Sequence, residues 1–168
     1  VLGWRTEGAF PDLPKLVVIA APHSSNWDFV IAIAFVMSLG IRIRFIGKAQ
    51  LFHGPIGWLL RWMGGMPVDR DHPQGVVARV VEEVRQAPAI VLGIAPEGTR
   101  RRGAEWKTGF YRIAAQAGVP IVPGFLDWSR KTVGVLPAFV PGGQPDRDLA
   151  ELRECYRPFA RKDGGRIA

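Results

Sequence analysis

His23 and Asp28 stand five positions apart in Ala21-Pro22-His23-Ser24-Ser25-Asn26-Trp27-Asp28, with one apolar run ending just before them and another starting just after. An imidazole with a carboxylate in reach is the pairing that general-base catalysis uses. The carboxylate fixes the ring's tautomer and stabilises the imidazolium that forms when the other nitrogen takes a proton. If the run at 29–39 is a helix, Asp28 falls in its first turn, where the helix N-terminus favours the anion and opposes a resting charge on His23. A capping His and a first-turn Asp form the structural alternative, and the pair alone does not choose between them.

A second cluster repeats the layout. The apolar run at 90–95 leads into Pro96-Glu97-Gly98-Thr99-Arg100, with Arg101 and Arg102 following. A glycine, exposed amides and a forked guanidinium suit a phosphate group, and a solvated turn is the alternative. Arg70, between Asp69 and Asp71, is open to the same two readings. No nucleophile accompanies the base: there is no G-x-S-x-G elbow, the sole cysteine, Cys155, falls in a polar closing helix, and Ser24 and Ser25 are too close to His23. The proton His23 removes is therefore expected to come from a hydroxyl of the substrate. One cysteine excludes an internal disulfide and a cysteine-based metal site, and three scattered histidines imply no metal.

These groups need a scaffold that brings strand ends together. At 168 residues and 48% hydrophobic, the chain is expected to form a single domain with a substantial core. It opens on Val1 rather than Met, so a targeting segment ahead of it would not be visible. Strands are expected at 3–8, 16–21, 41–46, 66–68, 90–95, 119–126 and 131–136. Helices are expected at 29–39, 55–63, 74–86, 109–117 and 146–160, the first apolar all round and so buried, with Ser25 or Asn26 as its cap. The alternation predicts an α/β fold with a mostly parallel or mixed sheet flanked by helices. The loops after 16–21, 66–68 and 90–95 would then carry His23, Arg70 and Arg100 to one sheet edge, where such folds place ligands.

Four blocks occur in order: His23 with Asp28; Gly65-Met66-Pro67-Val68-Asp69-Arg70; Pro96-Glu97-Gly98-Thr99-Arg100; and Val119-Pro120-Ile121-Val122-Pro123. Over roughly residues 3–125 the chain resembles the lysophospholipid acyltransferases, the superfamily that includes the glycerol-3-phosphate and 1-acylglycerol-3-phosphate acyltransferases. The resemblance implies a glycerolipid acyltransferase-like fold, with His23 and Asp28 as the catalytic dyad. It implies that Arg70, Glu97, Gly98, Thr99 and Arg100 hold a phosphate-bearing lipid acceptor. It also implies an acyl thioester donor, on coenzyme A or acyl carrier protein, with no cofactor beyond that donor. Ala95 and Arg101 depart from the aromatic and the Ser that flank the third block in many relatives, and no N-terminal membrane helix is visible; these departures leave the acceptor and the mode of membrane attachment open.

A net charge of +7 and a pI near 10.3 favour polyanions. Leu51-Phe52, Trp58-Leu59-Leu60 and Trp62-Met63, around Lys48 and Arg61, would dock on an anionic membrane surface if they face solvent, and would be core if they do not. The run at 29–39 is too short to span a bilayer. Without zinc spacing, an aromatic RNA-binding motif or a reading helix, no nucleic-acid partner is expected. The expected location is cytoplasmic, peripheral to the inner face of the membrane. Two other readings stand beside acyl transfer: a thioesterase-like hydrolase, and a non-catalytic basic module that binds membrane or nucleic acid.

Overall fold

The computed structural model describes residues 3–21, 26–68, 73–97 and 106–159. Seven strands form one sheet: β1 (Arg5–Glu7), β2 (Lys15–Ala20), β3 (Ile43–Lys48), β4 (Gly65–Val68), β5 (Ile90–Ile94), β6 (Ile121–Asp127) and β7 (Thr132–Val135), in the order β1-β7-β6-β2-β5-β3-β4. Strands β6, β2, β5, β3 and β4 run parallel to one another. Strand β7 turns back antiparallel to β6 and brings β1 alongside itself. This is the mixed α/β sheet that the alternating pattern predicts.

The two central strands show why. Residues 16–19 are apolar without interruption because both faces of β2 are covered. Val17 and Ile19 point into a cluster with Val80 and Val84 of helix α3 (Pro73–Gln86), Phe110 and Ile113 of α4 (Gly109–Ala117), and Leu149 and Leu152 of α5 (Pro145–Cys155). Leu16 and Val18 point the other way, onto Phe35 and Val36 of α1 (Asn26–Ser38). Helix α4 stops where expected, at Gly118, whose φ of 69° is the left-handed conformation that a helix C-cap uses.

Two expectations need correction. Helix α1 is not buried all round: Ile33, Phe35 and Val36 face the sheet, whereas Trp27, Val30 and Met37 are 66%, 49% and 57% exposed. Its uniform apolarity reflects an uncovered greasy face, not a deep position. The closing helix ends at Cys155 and gives way to a short 3-10 turn at Arg157–Phe159, because Pro158 cannot continue the α-helical bonding. Of the two expected caps of α1, Asn26 is its first residue and Ser25 lies outside the described residues.

Helix α2 (Gly54–Trp62) starts with Pro55 in its first turn and follows a 3-10 turn at Ala49–Phe52. The expected apolar cluster divides here: Phe52 is buried and Leu60 and Met63 half-buried, while Leu51, Trp58, Leu59 and Trp62 are exposed, with Ile56 exposed beside them.

Candidate functional site

Strands β2 and β5 are direct neighbours, with Val17 opposite Leu92 and Ile19 opposite Ile94. The ends of the two strands, at Ala20 and Ile94, therefore stand side by side at one edge of the sheet. Asp28, in the first turn of α1, is 1% exposed at this edge. A carboxylate so deeply placed requires donors. One of them is the indole of Trp128, whose Nε1 donates to Asp28 Oδ1 at 2.7 Å.

Trp128 follows β6, the neighbour of β2 on its other side. Its turn is built around Asp127. Oδ1 of Asp127 accepts from the backbone N–H of Ser129 at 2.9 Å, the Ser129 hydroxyl at 2.6 Å and the N–H of Arg130 at 3.0 Å. Oδ2 accepts from Arg130 Nε at 2.7 Å. Burial pushes the Asp127 carboxyl up, but the bonds from Ser129 and Arg130 outweigh it and bring it down to about 2. At neutral pH the turn is thus held by a full charge, and the rings of Trp4 and Trp128 meet edge to face with centroids 5.1 Å apart at 82°.

The segment after β5 is closed at its base. The N–H of Lys107 donates to the carbonyl of Pro96 at 2.8 Å, which draws together the two ends of the stretch bearing Gly98, Thr99 and Arg100. Pro96 is buried and Glu97 half-buried. Trp106 is buried between Phe110 and Tyr156. The hydroxyl of Tyr156 is shared between the carbonyls of Ile19 and Gly124, both at 3.0 Å, and so ties β2 to β6 just below the site edge. Complete burial pushes that phenol well above its ordinary value, so it stays protonated as a donor.

Of the residues expected to do chemistry, Asp28 and Glu97 lie in described segments, Asp28 in the first turn of α1 and Glu97 in the turn after β5. His23, Arg70, Gly98, Thr99 and Arg100 lie outside the described residues. Strand β4, which leads to Arg70, is separated from β2 by β5 and β3, about 14 Å at the usual strand spacing. Cys155 is exposed at the end of α5; the little burial it has, with the carboxylates of Glu151 and Glu154 nearby, pushes its thiol up, opposite to what a nucleophile needs. Among the described residues no group of His, Cys, Asp or Glu gathers as a metal ion would require, and no helix is long and apolar enough to cross a membrane.

Trp128 was not evident as a site residue from sequence. The signal was a third apolar run, 119–126, passing into a charged turn, the layout already seen at His23 and at Glu97.

The sequence model of the Acyltransferase family matches residues 10–126. The chain is 36% identical over 108 residues to a chloroplastic 1-acyl-sn-glycerol-3-phosphate acyltransferase of Brassica napus, covering 60% of this chain and 31% of that protein. It is 34% identical over 113 residues to the 1-acyl-sn-glycerol-3-phosphate acyltransferase of Escherichia coli, covering 63% of this chain and 44% of that one. A chloroplastic enzyme of the same name from Arabidopsis thaliana is 33% identical over 110 residues, with 61% and 30% covered. The chain thus spans under half the length of these curated relatives. No solved structure gives a significant match.

Proposed function

The chain belongs to the acyltransferase family, and from that premise we propose that it is an O-acyltransferase of glycerophospholipid synthesis. It moves a fatty acyl group from an acyl thioester, on coenzyme A or acyl carrier protein, to a hydroxyl of a glycerophosphate or lysophospholipid. The observation that carries the reading is the family match over residues 10–126, the stretch that holds all four sequence blocks, together with the likeness to relatives named as 1-acyl-sn-glycerol-3-phosphate acyltransferases. On this reading residues 1–168 form one acyltransferase domain.

His23 takes the proton of the acceptor hydroxyl as that oxygen attacks the thioester carbonyl carbon. The tetrahedral intermediate collapses with cleavage of the C–S bond, and the imidazolium returns the proton to the departing thiolate. No acyl-enzyme forms. Asp28 orients the imidazole and stabilises its charged form, a role supported by the depth of its carboxylate at the sheet edge. Arg70, Glu97, Gly98, Thr99 and Arg100 hold the acceptor, the guanidiniums on its phosphate.

The enzyme works at an anionic membrane surface, on the cytoplasmic inner face. Residues 29–68 carry Arg42, Arg44, Lys48 and Arg61 and no Asp or Glu, and the same stretch exposes Trp58, Trp62, Ile56 and Leu59. Trp with cations beside it suits the headgroup boundary.

Lipid mass spectrometry after incubating the purified protein with acyl-CoA or acyl carrier protein thioester and a panel of lysophospholipids tests the proposal. A new diacyl product is expected. Free fatty acid alone would indicate a hydrolase, and no turnover with tight liposome or DNA binding would indicate a binding module.

A further inference from the structure

We propose that Trp128 is a positioning residue for acyl transfer: its indole N–H sets the rotation of the Asp28 carboxylate and, through it, the direction of the His23 imidazole. The inference rests on the dyad reading above. The torsion that turns a carboxyl group about its Cβ–Cγ bond is broad and soft, so an Asp used to aim an imidazole needs something to fix it. The Trp128 bond to Oδ1, at 2.7 Å, has the length of a charge-assisted contact and comes from an element 100 residues away. With Oδ1 held, the direction of Oδ2 is decided.

The donor is itself held in place. The turn that carries it is locked by the four hydrogen bonds to Asp127. The edge contact with Trp4 limits the swing of the indole. Burial does not account for a Trp here, because the side chain is 43% exposed. Its polar atom is turned inward, onto a carboxylate that is 1% exposed. Trp4 and Trp128 both lie outside residues 10–126, the stretch that the family model matches.

Trp128→Phe keeps a smaller aromatic ring on the side that Trp4 meets and removes the N–H. With purified protein, acyl-CoA and a lysophospholipid acceptor, we expect kcat to fall about tenfold, less than the ~10²-fold that outright misplacement of a catalytic group costs. Both KM values should stay within about twofold, since ground-state binding is untouched. The melting temperature should fall by no more than a few degrees, the cost of one donor lost to a buried carboxylate. A kcat equal to wild type, or a loss matched by a raised KM, would overturn the proposal. A second measurement needs no turnover and no Trp128 variant: the indole N–H resonance of Trp128 should shift in Asp28→Asn, and an unmoved resonance would refute the link. A wild-type protein that transfers no acyl group would overturn the acyltransferase reading and this role with it. A working transferase with an unmoved resonance would sink this role alone.

Discussion

Gly57 stands directly against the backbone of Phe52, so closely that a methyl group there would overlap the Phe52 carbonyl. Arg61, one turn on, donates to that same carbonyl oxygen at 2.8 Å. Helix α2 therefore docks through its glycine and arginine side and turns Trp58 and Trp62 outward, 68% and 69% exposed. If this face meets lipid, the double substitution Trp58→Ala, Trp62→Ala should weaken binding to anionic vesicles by on the order of 10- to 100-fold, given the apolar area of two indoles. The residual binding should fall further as salt rises. Vesicle sedimentation reads both, and unchanged binding across salt would return the two Trp residues to a role other than docking.

The turn around Asp127 should give way in acid. Its carboxyl sits at about 2 in the folded protein, below the ordinary 3.8, so ionised Asp127 favours the fold above about pH 4 and this contribution is lost as pH falls towards 2. The size is on the order of 1–2 kcal/mol. Thermal melts of wild type and Asp127→Asn should differ most near neutral pH and converge as pH approaches 2. A gap that stayed constant with pH would rule out the charge as its source.

Tyr156→Phe removes the shared donor from the Ile19 and Gly124 carbonyls while keeping the ring that meets Trp106. A loss of about 1–2 kcal/mol is expected in urea unfolding. No change in midpoint would mean that the two carbonyls are satisfied by the sheet alone.

The strands were legible because burial on both faces leaves uninterrupted apolar runs, as at 16–19 and 90–92, and Gly118 marked the end of α4 through the one backbone conformation it adopts freely. Helix α1 was misread because an all-apolar pattern has no polar face to show which side is open; Val30 and Met37 look in sequence like Ile33 and Val36. Asp28 and Glu97 could be read towards one edge because Glu97 follows an apolar strand and Asp28 opens the helix that comes after another. The Trp128–Asp28 and Tyr156–Ile19 contacts join residues 100 and 137 positions apart, and no local period encodes such a pair. Only the neighbouring of β6 and β2 reveals them.

Arg→Lys at position 70 or 100 should weaken use of a phosphate-bearing acceptor, because an ammonium replaces only part of a guanidinium's two-point contact. Steady-state kinetics with varied acceptor should show KM raised by about tenfold, with little change in hydrolysis of the thioester by water. Equal losses with phosphorylated and unphosphorylated acceptors would make these arginines structural ion-pair partners instead.

The central claim is that His23 removes the acceptor's proton. The direct measurement is the rate of diacyl product formation by wild type and His23→Ala, followed by lipid mass spectrometry at saturating acyl thioester, with folding and acceptor binding checked alongside. A loss of general-base catalysis predicts a fall in kcat of about 10³-fold with fold and acceptor affinity retained. A well-folded His23→Ala protein that forms product at close to the wild-type rate would contradict it.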